Sequence, residues 1–77
     1  MNISKVDFSS LASRWPSTFV ARQHVGRFSG GILDPKYMAN LDCQGKGIKN
    51  RIRIGRKIAY PVKDLIKFLE SRSEIVN

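Results

Sequence analysis

Residues 51–60, RIRIGRKIAY, constrain the fold more than any other stretch of this chain. Ile52 and Ile54 alternate with Arg51 and Arg53, a period of two that belongs to a half-buried strand and not to a helix. Gly55 interrupts the alternation, and Ile58 and Tyr60 supply a second short strand, so the segment predicts a β-hairpin. A two-residue loop, Gly55-Arg56, sets Ile54 opposite Lys57 and Arg53 opposite Ile58, which mixes the two faces. A three-residue loop from Gly55 to Lys57 pairs Ile54 with Ile58 and Ile52 with Tyr60, and all four then share one face. The three-residue loop is the expectation: isoleucines and Tyr60 toward the core, Arg51 and Arg53 outward, Arg56 and Lys57 at the tip.

The rest of the chain reads as helices around this hairpin. Pro61 is expected to block further strand pairing and open a closing helix, in which Val62, Leu65, Ile66 and Leu69 follow i, i+3, i+4, i+7 spacing. Upstream, Asp34 is a good N-cap, Pro35 suits the first helical position, and Leu33 and Met38 can staple the entry. That helix should run from Pro35 to about Gln44 and stop at Gly45, with Met38 and Leu41 inward and Lys36, Tyr37, Asn40 and Gln44 outward. Before it, residues from Ser17 or Thr18 to Phe28 predict a helix with Val20 (or Ala21), Val25 and Phe28 inward. Gly26 weakens that helix by about 1 kcal/mol relative to alanine, so it needs tertiary support. Ser29-Gly30-Gly31 marks a turn. Residues 1–16 read as an arm with a short helix, capped by Asp7 or Ser9 and ended by Pro16. There Phe8, Leu11, Ala12 and Trp15 share a face and Trp15 serves as a core anchor or an anchor on a neighbouring helix. The predicted fold is mainly α with a small β-hairpin, in the order α-α-α-β-β-α. Its organisation is a winged helix-turn-helix over residues 17–73, preceded by residues 1–16 and followed by a frayed tail, 74–77.

Composition narrows the class. Seventy-seven residues, 42% of them hydrophobic, suit one small globular domain. No apolar run approaches the about eighteen residues that span a bilayer, and Asp7 with the neighbouring serines breaks any signal-peptide core, so a cytoplasmic protein without membrane partners is expected. One cysteine and one histidine exclude an intrachain disulfide and a zinc cluster of those ligands, and no cofactor or metal is expected. The net charge of +8 points to a polyanionic partner. Lys46, Lys49, Arg51, Arg53, Arg56, Lys57 and Lys63 supply seven of the fourteen cations, and no acid lies between Asp42 and Asp64. An ordinary solvated face interleaves both signs; a projecting element of one sign suits phosphate contact with counterion release.

The 35–44 helix is the candidate reader of bases. Asn40 can pair bidentately with adenine, Lys36 can donate to guanine, and Tyr37 can reach a phosphate or a thymine methyl. Asn40 also fits a local hydrogen-bonding role toward the turn or wing, and Gln44 a solvated helix end. Arg22 and Arg27, on the helix before the turn, are expected at the backbone, with His24 between them as a surface or phosphate-contacting residue. Cys43 reads as a filler residue, since nothing in the sequence identifies a base to activate it. Gly45-Lys46-Gly47 lacks the upstream glycine spacing and the Ser/Thr of a P-loop. No enzymatic constellation is visible.

The runs FVARQHVGRFSGGILDPKYMANLDCQGKG and RIRIGRKIAYPVKDLIKFLESR resemble the excisionase-type, MerR-like winged helix-turn-helix family of phage and mobile-element proteins. The resemblance covers residues 19–72. Its most specific part is Ile54-Gly55-Arg56-Lys57-Ile58-Ala59-Tyr60, followed by Asp64-Leu65 and Phe68-Leu69; the Ser29-Gly30-Gly31-Ile32 turn is longer than the family's usual one. It implies a recognition helix at 35–44 in the major groove and a wing at 51–60 on the backbone or in the minor groove. It also implies a bacterial or phage-encoded, nucleoid-associated protein in excision control or transcriptional regulation, with self-association on DNA and an integrase as further partners. No long dimerisation helix or effector domain follows residue 77, so sensing by full-length MerR regulators is not carried over. Two other readings stand beside it: an RNA- or ribosome-associated basic protein, and a phage adaptor binding a protein through the 62–72 helix or the Trp15 arm.

Overall fold

Trp15 leaves the helical region (φ −94°, ψ 128°), as a residue before proline is driven to do, and this ends α1 (Ser9–Arg14). The computed structural model describes residues 8–73, and Asp7 and the tail 74–77 lie outside them. The N-cap position of α1 falls on Phe8, one residue before the expected Ser9, and carries no side-chain capping bond. Phe8, Leu11, Ala12 and Trp15 pack against the core, as the shared face predicts. Trp15 meets Phe28 edge to face at 5.5 Å and its indole N–H donates to the Phe19 carbonyl at 2.9 Å, so it is an anchor of the fold.

The segment after Pro16 corrects the sequence reading. Residues 17–28 do not form one helix. They give β1 (Phe19–Ala21), a 3₁₀ turn (Arg22–His24) and a single α-helical turn, α2 (Val25–Phe28). Thr18, Phe19 and Val20 are β-branched or aromatic and prefer extended backbone when a partner strand is available. The partner is β3 (Lys57–Pro61), with Phe19 opposite Pro61, Val20 opposite Tyr60 and Ala21 opposite Ala59. Pro61 thus pairs in register where it was expected to stop pairing; it has no N–H, and Val62 N–H supplies the next bond, 2.8 Å to the Thr18 carbonyl. The predicted inward residues Val20, Val25 and Phe28 are all buried, but Val20 reaches the core from a strand.

The hairpin register is the second correction. β2 (Ile52–Ile54) pairs with β3 as Ile52 to Ala59, Arg53 to Ile58 and Ile54 to Lys57, so the loop is the two-residue Gly55-Arg56. Gly55 has φ 62° in the first loop position, the requirement of a type II′ turn. Residues opposite one another in an antiparallel pair project to the same face. Tyr60 and Val20 are fully buried, so Ile58, Arg53 and Arg51 lie on their side of the sheet, while Ile52, Ile54, Ala59, Ala21 and Phe19 lie on the other. The isoleucines of β2 are therefore exposed and the arginines turned toward the helical layer. This register is tolerated because β2 is an edge strand that overhangs the core. β3 and β1 alone cover it, in a three-stranded antiparallel sheet of order β1-β3-β2.

α3 (Pro35–Cys43) follows the sequence signals closely. Asp34 accepts from the Tyr37 N–H at 3.3 Å, and Met38 and Leu41 are buried. Beyond Gln44, Gly45 has φ 72°, its N–H reaches the Asp42 carbonyl at 3.2 Å, and Lys46 N–H reaches Leu41 at 2.9 Å, the paired bonds of a Schellman stop. The turn before α3 is held by buried Ser29, whose hydroxyl donates to the Val25 carbonyl at 2.7 Å and accepts from the Leu33 N–H at 2.8 Å. α4 (Val62–Arg72) buries Val62, Leu65 and Leu69, as its spacing predicts. The described residues thus form four α-helices and one three-stranded antiparallel sheet. No helix among them is long and apolar enough to cross a membrane.

Candidate nucleic-acid interface

Asp42, in the last turn of α3, is the residue on which this face is assembled. Its side chain is 7% exposed, and one carboxylate oxygen, Oδ2, accepts from the Arg22 guanidinium at 2.6 Å and the Tyr60 hydroxyl at 2.7 Å. Arg51 Nε stands 3.8 Å from the same oxygen, and Arg51 also donates to the Ile48 carbonyl at 3.1 Å. Arg22 in turn donates to the Tyr60 oxygen at 2.9 Å. The 3₁₀ turn, α3, β3 and the residue that precedes β2 therefore meet at one carboxylate. Burial, reinforced by the Asp42 carboxylate, pushes the Tyr60 hydroxyl up to about 12, so at neutral pH it remains a donor. Burial works against the charged form of Arg22, but hydrogen bonds to Tyr60 and Asp42 outweigh it and raise its pKa.

The other oxygen, Oδ1, is buried without a hydrogen-bond partner among the described residues and lies against Gly47. A Cβ at Gly47 would come within 1.8 Å of it and 3.0 Å of the Asp42 Cα. The space beside Gly47, not its backbone conformation, excludes a side chain. Gly47→Ala is accordingly expected to destabilise the domain by about 1–3 kcal/mol, the range of an overpacked core site. Urea unfolding measures it, and an unchanged midpoint would show that the 45–49 loop yields freely.

The sequence-predicted residues divide into two groups. Lys36, Tyr37, Asn40 and Gln44 are all exposed, together with Cys43, on one face of α3. Cys43 is thus not the packed filler the sequence suggested, because the inward stripe is completed by Met38, Leu41 and the Asp42 cluster. The Tyr37 hydroxyl accepts from Arg72 at 3.4 Å, which ties that end of α3 to α4. Lys46, Lys49, Arg53, Arg56 and Lys57 are exposed, and among the described residues none has a carboxylate within ion-pairing distance. Arg27 is exposed on α2. Arg22 is different, since it is committed to Asp42 and serves the frame before any ligand, and Arg51 is engaged by Asp42 only in part.

A shallow cleft of about 180 Å³ joins the two halves of the face. Pro35 at the start of α3, Arg22 and Gln23 of the 3₁₀ turn, and Arg56, Lys57 and Ile58 of the hairpin line it. The hairpin tip thus stands next to the N-terminal end of α3, which Pro35 opens and the Asp34 carboxylate caps. Gln23 had no distinguishing sequence signal. Asp42 had one in principle: a buried Tyr60 needs an acceptor for its hydroxyl, and Asp42 is the first acid on the N-terminal side of the hairpin. Against protein-family models, curated proteins and solved structures, the chain gives no match.

Proposed function

We propose that this chain is a non-enzymatic, sequence-specific double-stranded DNA-binding protein of the winged helix-turn-helix type. α3 is the recognition helix in the major groove, and the β2–β3 hairpin is the wing on the backbone or in the minor groove. The single observation that carries the reading is the juxtaposition of the unneutralised hairpin tip, Arg56 and Lys57, with the start of α3 across one cleft. A duplex presents phosphates on both sides of its major groove, so a helix flanked by a cationic projection matches it in shape and charge. Lys36, Tyr37, Asn40 and Gln44 then face the base edges, while Lys46, Lys49, Arg53, Arg56, Lys57 and Arg27 hold phosphates. Arg22 and Arg51 act from behind, as the ion pairs that fix the two elements at Asp42. The excisionase resemblance adds a role in excision control or regulation of a mobile element in the bacterial cytoplasm, with an integrase or a second copy on DNA as partners.

Selection of bound duplexes from a random pool, followed by footprinting, tests the reading. A discrete enriched motif is expected, protected over the span of a major groove and its neighbouring minor groove. Equal affinity for all duplexes in competition would overturn the sequence-specific claim. Tighter binding to structured RNA than to duplex at matched salt would overturn the choice of nucleic acid.

A further inference from the structure

The face of the sheet turned away from α3 is apolar apart from Lys57, which stands opposite Ile54 at the hairpin tip and belongs to the DNA reading. Phe19 of β1, Ile52 and Ile54 of β2, with Ala21, Ala59 and Pro61, lie on it, and Phe19, Ile52 and Ile54 are 41%, 37% and 68% exposed. Single exposed apolar residues are common on protein surfaces, but a set on one face of three adjoining strands is not scattered. At its border runs β2, which among the described residues pairs with β3 alone and so offers a free strand edge.

We propose that the free edge of β2 takes an extended segment of another protein in which acidic and apolar residues alternate. The pattern follows from β2 itself. In it and the residue before it, side chains alternate between Ile52 and Ile54 on the outer face and Arg51 and Arg53 on the inner one. A strand added beside it sets its own alternate residues against those two rows. Apolar side chains in the outer row cover Ile52 and Ile54. Acidic side chains in the inner row meet Arg53, which is exposed and has no carboxylate partner among the described residues, and Arg51, which Asp42 only partly engages at 3.8 Å. A second copy of the chain fits the first row and fails the second. Pairing β2 with β2 brings arginine against arginine on two chains that each carry +8. The same arginines that stop the edge from pairing with itself select an acidic strand. Arg53 also belongs to the proposed DNA face, so a docked segment competes with phosphate for it, but the docking itself requires no DNA.

The test uses the full chain and a fluorescein-labelled seven-residue peptide alternating glutamate and valine, read by anisotropy without nucleic acid. Two further peptides are compared, one of the same composition with glutamates and valines in separate blocks, one alternating but N-methylated at every second amide. The alternating peptide is expected to bind about tenfold more tightly than either, and Ile54→Ser to lose about tenfold of that affinity. Ile54 is 68% exposed, so its loss leaves the core intact; circular dichroism checks this, and the peptide comparison stands even if the variant misfolds. Failure of the alternating peptide to bind, or equal binding of the block-ordered peptide, would overturn the proposal, the latter by showing charge attraction alone. Indifference to N-methylation would do the same, as would a dimer in sedimentation that Ile54→Ser dissolves, because a second copy then holds the edge. The DNA reading survives each of these outcomes, since none of them involves a duplex.

Discussion

Asp42→Ala is expected to lower the stability of the domain by about 3 kcal/mol, a large part of the about 5–15 kcal/mol that holds small proteins folded. The carboxylate is 7% exposed and receives Arg22 and the Tyr60 hydroxyl on one oxygen, with Arg51 nearby. Without it, the Tyr60 hydroxyl stays buried and keeps only the Arg22 donor, which cannot replace an acceptor. Arg22 is 28% exposed and can turn partly to water, which holds the loss at the lower end of the range for a broken buried pair. Urea unfolding followed by Trp15 fluorescence gives the number. A loss below about 0.5 kcal/mol would place the cluster among surface ion pairs of little energetic weight. Alkaline titration supplies a second readout. Tyr60 has its pKa raised from 10.0 to about 12, so its contribution is complete below pH 10 and is lost as pH rises through 12. Asp42→Ala removes one cause of that rise and should make the alkaline loss shallower.

The second large effect concerns the hairpin. Replacing Arg53, Arg56 and Lys57 together by alanine is expected to weaken duplex binding about 100-fold near physiological salt. The slope of log affinity against log salt should fall by about 2.7, about 0.9 for each phosphate no longer neutralised. All three side chains are exposed and none has a carboxylate partner among the described residues, so the fold does not depend on their charge. Arg14→Ala with Lys67→Ala, exposed cations on α1 and α4, serves as the comparison and should leave affinity within about threefold. Equal losses from the two sets would mean that net charge, and not the hairpin, holds the duplex. A fall in affinity without a change in salt slope would mean that these residues act through structure.

Some of the molecule is legible directly in its residues. α3 begins at Asp34-Pro35 and stops at Gly45 because capping, the fixed φ of proline and the positive φ of glycine are satisfied within a few residues of each other. α4 declares itself by spacing, and Val62, Leu65 and Leu69 point inward wherever the helix is placed. The exposed face of α3 is legible for the same reason: once Met38 and Leu41 are inside, Lys36, Tyr37, Asn40 and Gln44 are outside.

Strand register obeyed no such local rule. Residues 19–21 became a strand only because β3 lies 38 to 42 positions further along the chain and offers its edge. The hairpin took the two-residue loop although it divides the apolar side chains between faces. Gly55 allows that turn, and an edge strand need not contribute its isoleucines to the core. Arg51 consequently turned toward a carboxylate whose role no local pattern announces, while Arg53, on the same face, stayed exposed. The sequence by itself determined the helices whose boundaries are written in capping residues, and the excess of cations at residues 43–63. Only the tertiary structure decided which of those cations are bound to Asp42 and which remain free, because burial and charge pairing depend on neighbours distant in the chain.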